Sequence, residues 1–525
     1  MQKEVAKIRK FLFFLVLSLI IAACGNTDNP DYMANIDVPT VIIADAFDDI
    51  ADPAIYDPPL PTLAPEPDLD IPLFNDYFIS LDFEPETRMI RGMQSVRYTN
   101  RTGVVLDQLV FRLFLNAWSG EETPYTEMFE ERIFRHGRDY GFMDVLHVSQ
   151  DNEELSFDLS DSVLTINLPR PLEPDETMQV FIQFESSIPF IAHRTGANEQ
   201  AVWAGAFLPI EAVFGSQGWY TEPYYPIGRP FILDVANYTV EITTPIGYEV
   251  AGTGTKTETV LDDRKITTFT AQLTRDFAFA ISPYFRRITQ TTPSGSVEIH
   301  LYYYTSTMPA DRILNVAVEA MTFFEETIGA YPYTDLRIVE TDMFRAGGET
   351  FSGVIFMDSN HMRTSPTLHS LRNEIAHQWF SIIIGSNPIE ETWLSGGLTL
   401  LLQEGLLGQP ELRAIIERDH LNLQEQQYQI QVEDSRRIAS RLDSYEGWDD
   451  YFLIQHRKAR IMFYALYREM GEESFRELLR EYYRQFHFRI ATSQDFIALA
   501  GEIHGRSLQR FFNYWLYTTA LPDLP

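Results

Sequence analysis

The residue types that could do chemistry gather in Leu371-Arg-Asn-Glu-Ile-Ala-His-Gln-Trp-Phe380, an apolar stretch that carries Asn373, Glu374 and His377. On a helix, residues 373 and 377 lie on one face a turn apart, with Glu374 beside them. The pattern H-E-x-x-H uses this geometry: two histidines hold zinc and the glutamate activates a bound water. Here the first histidine position is Asn373, and a neutral carboxamide is a poor zinc ligand. The stretch reads as a metal site with a part missing.

Replacement ligands are few. His369 lies eight residues before His377, about 12 Å along a helix axis. Two such histidines are badly placed to share an ion that sits about 2.1 Å from each nitrogen. Glu391, Glu404 and His456 complete the set, and none has the required spacing. Chelation by His377 and His456 with a further carboxylate is the one route left. Without a metal, Glu374 has no polarised water to deprotonate.

These residues need elements to hold them. From residue 77 onward, short runs alternate apolar and polar positions, as in residues 77–83, 109–115, 163–168 and 179–184. Such alternation predicts an antiparallel sheet or sandwich, here an N-terminal β-domain over 75–290. After residue 301 the period becomes helical. Ile313, Val316, Met321, Phe324 and Ile328 mark an amphipathic helix, and short strands are expected near 336–340 and 353–357. Helices are then predicted over 367–384, 392–406, 455–470, 473–486, 493–504 and 508–517. The second domain, 291–525, is thus α+β with its helices late in the chain.

The N-terminus has a different character. Lys3, Lys7, Arg9 and Lys10 precede an apolar run over residues 11–23, followed by Cys24. This is the layout of a secretory signal, too short to span a bilayer comfortably; an uncleaved anchor helix is the other reading. The ending Ile21-Ala22-Ala23-Cys24 resembles a bacterial lipoprotein signal. That resemblance implies cleavage after residue 23, lipid on Cys24 and an extracytoplasmic, membrane-anchored chain. Residues 24–74 are rich in Pro and Asp, with no Lys or Arg between Lys10 and Arg88, which predicts an extended acidic tether. Cys24 is the only cysteine, so neither disulfides nor thiolate metal sites are available. A formal net charge of −34 over 525 residues argues against nucleic acid as a partner.

Taken together, the segments resemble the zinc metallopeptidases of the aminopeptidase N and leukotriene hydrolase type, the gluzincins. The resemblance rests on Asn373-Glu-Ile-Ala-His-Gln-Trp-Phe380, Trp393-Leu-Ser-Gly-Gly-Leu398, Gly347-Gly-Glu-Thr-Phe-Ser-Gly353 and Gly471-Glu-Glu-Ser-Phe475. It implies a β-sandwich-like domain followed by a thermolysin-like, mostly helical zincin domain. The family's third zinc ligand is a glutamate in a W-L-N-E-G context, eighteen intervening residues beyond the second histidine; that position is Gly396. Only His377 of the three ligands remains. The glutamate that holds a substrate's amine in a G-x-M-E-N segment aligns with Thr350, one place after Glu349, with Gly353 closing the segment. The family's transition-state tyrosine aligns with His456. The resemblance therefore implies a pseudoenzyme that needs no cofactor and binds a peptide or protein in its cleft. The alternative is an active metallo-aminopeptidase with zinc in a rebuilt site.

Overall fold

In a computed structural model of the chain, the structure describes residues 74–120, 127–305, 307–343, 347–364, 367–430, 433–521 and 524. The signal, Cys24 and nearly all of the acidic tether lie outside the described residues. Everything below concerns one compact unit within residues 67–525.

Alternation dictates the N-terminal part. Ala236–Pro245 alternates buried and half-buried positions along its whole length, as expected for a strand with one face on a core. It lies third in an eight-stranded sheet, between Arg264–Thr274 and Asn75–Glu84; Met89–Thr99 and Thr177–Ser187 follow. Asn75–Glu84 pairs with Ala236–Pro245 in parallel, with Ile79 opposite Val240. An all-antiparallel sheet was expected, and this one pair departs from it. The strands are far apart in sequence, so no hairpin forces them to run in opposite directions. Two four-stranded sheets and a two-stranded ribbon complete the β part, whose core includes Tyr77, Val96, Phe111 and Trp203.

The second part starts with a five-stranded mixed sheet in the order Arg286–Thr291, Glu298–Tyr303, Asp335–Thr341, Val354–Asp358, Gly348–Phe351. Its first strand ends at residue 291, so the sheet begins a few residues before the 290/291 division expected from sequence. The hairpin strand Gly348–Phe351 was not expected. Its tight turn rests on Gly353 in the left-handed region (φ 66°), which a glycine adopts without a Cβ penalty.

The helices follow the predicted order: Ala310–Thr327, Thr367–His377, Trp393–Leu402, Ala459–Met470, Glu472–Phe486, Ser493–His504 and Gln509–Tyr517. Two differences matter. Pro410–Gln426 is an additional helix whose buried apolar positions are only Leu412, Ile416 and Leu423. That is too sparse a stripe for periodicity to reveal. And two helices expected to be regular contain π-helical turns, at Gln378–Ile383 and Phe452–Lys458. Such turns insert one residue into a helix and frequently occur at functional sites. Trp379 and Trp393 are both buried in the helical core.

Candidate functional site

The helix carrying Glu374 is fixed to the neighbouring hairpin by a buried glutamine. Gln378 accepts from the Tyr331 hydroxyl (3.0 Å) and from Gly353 N–H (3.2 Å), and its amide donates to the Phe351 carbonyl (2.9 Å). One side chain thus sets the distance between the helix and the Glu349–Thr350 strand. Just beyond, Phe380 leaves helical geometry (φ −103°, ψ 17°) inside the π turn.

Along this helix the sequence-derived residues do meet. His377 is buried; its Nδ1 lies 2.8 Å from the Ser381 hydroxyl and its Nε2 3.3 Å from the Thr399 hydroxyl. Asn373 donates to the same Thr399 oxygen at 3.3 Å, and Thr399 donates to the Gly396 carbonyl at 3.0 Å. Thr399 therefore ties together all three positions at which the family places zinc ligands. Burial, then the nearby Arg229 and His456, hold the His377 imidazole well below the usual histidine range, so it is neutral.

Gly396 is close-packed. A Cβ placed there would lie 2.9 Å from the Gln455 carbonyl oxygen and 3.2 Å from the His456 ring. The imidazole of His456 thus stands where a longer side chain at 396 would have to pass. His456 stacks on Phe452 (4.8 Å, 23°) and meets Tyr451 edge-on (5.5 Å). Among the described residues its buried Nδ1 has no hydrogen-bond partner. Burial first, then Arg229, push it down to about 3.

Glu374 accepts from the Thr350 hydroxyl at 2.7 Å, which also lies 2.8 Å from the Glu374 carbonyl. Its other partner is Arg229, whose Nη2 is 2.5 Å from Oε2. The same guanidinium reaches Glu349 Oε1 at 3.2 Å, while Arg194 Nε reaches Glu349 Oε2 at 3.1 Å. Burial raises the Glu374 carboxyl, and Glu349 adds to this; the guanidinium and Thr350 oppose it. Arg229 escaped the reading from sequence. It stands between Gly228 and Pro230, in a loop with no periodicity to report it.

Four expected residues stay out of this group: Gly353, His369, Glu391 and Glu404. Gly353 serves the hairpin turn. His369 is exposed against Glu404 (2.5 Å), and Glu391 accepts from Ser493 N–H at 2.7 Å. A cleft of about 540 Å³ is lined by Arg229, Glu349, Asn373, Glu374, His377 and His456 among others, with His369 also on its wall.

A zinc ion does not fit this donor set. Among the described residues no group of three or more His, Cys, Asp or Glu is placed to hold a metal. Asn373 is a poor ligand, position 396 has neither a side chain nor room for one, and Glu374 is engaged by a guanidinium.

Residues 312–515 match the family described as "Peptidase family M1 domain". Aminopeptidase O from Rattus norvegicus is 25% identical over 232 residues, covering 37% of this chain and 28% of that protein. The puromycin-sensitive aminopeptidase of Caenorhabditis elegans is 21% identical over 400 residues, covering 71% of this chain and 41% of its own. The chain thus spans well under half of these curated relatives. The crystal structure of an M1 zinc metallopeptidase from Deinococcus radiodurans superposes with a TM-score of 0.63 at 18% identity, over 86% of this chain and 94% of that one. At that identity the likeness is one of fold: a β-rich domain followed by a helical one.

Proposed function

We propose that this chain, which carries a peptidase family M1 domain at residues 312–515, is a pseudoenzyme that binds a peptide or protein ligand in its cleft. The observation behind this reading is the closed packing at Gly396, where His456 and the Gln455 carbonyl leave no space for a ligating carboxylate. The lost ligand could not be restored by one substitution, whereas the cleft beside it stays open. A remodelled floor under an open cleft favours binding over turnover. In the same proposal, a lipid on Cys24 anchors the chain at the extracytoplasmic face of a membrane, the acidic tether spaces the domains from it, and nucleic acid is not a partner.

Two measurements test this. Elemental analysis of the purified full-length protein, with aminoacyl and peptide substrates assayed in added zinc, manganese and cobalt, is expected to give less than one bound metal per chain and no turnover. Stoichiometric tight zinc with chelator-sensitive hydrolysis would sink the reading. A peptide library should yield binders that compete with one another for the cleft. For the anchor, Cys24→Ser should move the protein from the membrane to the soluble fraction.

One observation favours a second reading. His456 presents a buried Nδ1 without a partner near His377, and two imidazoles are a fair start for a metal chelate. A metallo-aminopeptidase with a rebuilt site would then lose zinc and activity together in His456→Phe.

A further inference from the structure

The two carboxylates of the cleft floor are not free. Glu349 and Glu374 have side chains 4% and 9% exposed, and buried anions require compensation. Both touch the single guanidinium of Arg229, which also donates to the Thr350 carbonyl at 2.9 Å. Arg194 pairs with the far oxygen of Glu349. Two arginines thus balance two glutamates, and the cluster is neutral by itself.

The chain holds Arg229 rigidly in this place. Gly228 occupies the left-handed region (φ 62°), its carbonyl accepts from Arg194, and Pro230 restricts residue 229 to extended geometry. Both arginines come from the β part of the chain; Glu349 comes from a strand and Glu374 from a helix of the second part. The guanidinium also raises the cost of protonating His377 and His456, which places it within electrostatic reach of both imidazoles.

We infer that Arg229 is the resident cation of this site: its guanidinium, seated between Glu349 and Glu374, supplies the positive charge that a divalent ion would otherwise supply and thereby excludes one. The inference rests on the pseudoenzyme reading but goes beyond missing ligands, because it adds to them a cation already seated against the two remaining carboxylates. No three of these groups are placed to share an ion while Arg229 sits between them; removing it would leave an uncompensated carboxylate and free both glutamates to move toward the two neutral imidazoles, donors of the types divalent zinc accepts.

The test uses the full-length protein with Arg229→Ala and Arg229→Lys. Melting is followed with zinc chloride and with chelator, and zinc content is measured after gel filtration. The wild type should melt within about 1 °C in zinc and in chelator. Arg229→Ala should melt roughly 3–5 °C lower, retain zinc, and recover half or more of the loss when zinc is added. Arg229→Lys, which keeps the charge, should fall less and show no zinc response; it carries the test should the alanine variant fail to fold. Equal melting of wild type and Arg229→Ala would overturn this inference alone, as would a zinc response as large in wild type or Arg229→Lys as in Arg229→Ala. Zinc-dependent turnover by the wild type would instead overturn the pseudoenzyme reading as well.

Discussion

Two arginines, Arg275 buried and Arg229 half-buried, reach from the β part of the molecule into the second part, and their partners differ in kind. Arg275 donates to four carbonyl oxygens, those of Ile382 (2.6 Å), Leu233 (2.9 Å), Ile383 (3.3 Å) and Arg489 (2.6 Å). Ile382 and Ile383 end the π turn that follows His377, so Arg275 caps carbonyls that have no helical partner. Arg229 has carboxylates instead, and they line an open cleft. Neutral carbonyls do not titrate, so the hydrogen bonds of Arg275 do not themselves change with pH. Arg229 is held by groups whose charge depends on pH and on what else is present. The first arginine joins the two parts of the chain; the second balances charge.

This contrast can be broken in four ways. Arg275→Ala removes four buried hydrogen bonds, although the Ile383 and Arg489 carbonyls keep the Phe488 and Gly385 N–H groups; it is expected to cost about 4 kcal/mol, measured by urea unfolding, and a cost under about 1 kcal/mol would mean that other donors replace it. Arg229→Ala should cost roughly 3 kcal/mol. Lysine should recover more at 229 than at 275, because a point charge satisfies two carboxylates but cannot span four diverging carbonyls. Equal recovery at both sites would erase the distinction.

Acid should separate the two arginines as well. His456 is held at about 3 in the folded protein, below its usual value near 6.5. As pH falls, the unfolded chain takes up that proton first. Stability is therefore full above about pH 6.5 and is lost progressively as pH falls toward 3. At pH 5 the penalty from this one group is about 2 kcal/mol, and His456→Phe should remove it. Unchanged pH dependence in that variant would mean the ring is already solvated. The smallest effects concern the glycines that accommodate each neighbour. A Cβ at Gly385 would lie 2.3 Å from the Arg275 guanidinium carbon, and one at Gly396 2.9 Å from the Gln455 carbonyl oxygen. Each alanine should cost about 2 kcal/mol; a clearly smaller cost at Gly385 would show that the Arg275 side chain yields more readily than the Gln455 backbone.

The sequence made the fold legible because its signals are local. Alternation in residues 236–245, a helical stripe from Ile313 to Ile328 and the motif around Glu374 each identify an element without reference to distant parts. The same holds for the positions of Asn373, His377 and Gly396, which follow from spacing on two helices. What holds those positions was hidden. Arg229 and Glu374 are 145 residues apart, and an arginine between glycine and proline in an irregular loop has no pattern to announce its partner. Charge parity was the usable clue: two carboxylates on a buried floor, with the metal ligands gone, require a cation from elsewhere in the chain. The π turns were hidden for another reason. Gln378–Ile383 and Phe452–Lys458 are as apolar as their helices, and an inserted residue changes hydrogen bonding more than composition. Thr350, aligned with a position for substrate recognition, proved to be a hydrogen-bond partner of Glu374 because its strand packs directly on that helix.

The guanidinium between Glu349 and Glu374 has a consequence for supply. An ion must be acquired after folding, so its occupancy varies with concentration, competitors and chelators. Arg229 is translated with the rest of the chain, present in one copy per molecule from synthesis onward. A site filled in this way has fixed stoichiometry, and neither scarcity nor sequestration of metal can empty it.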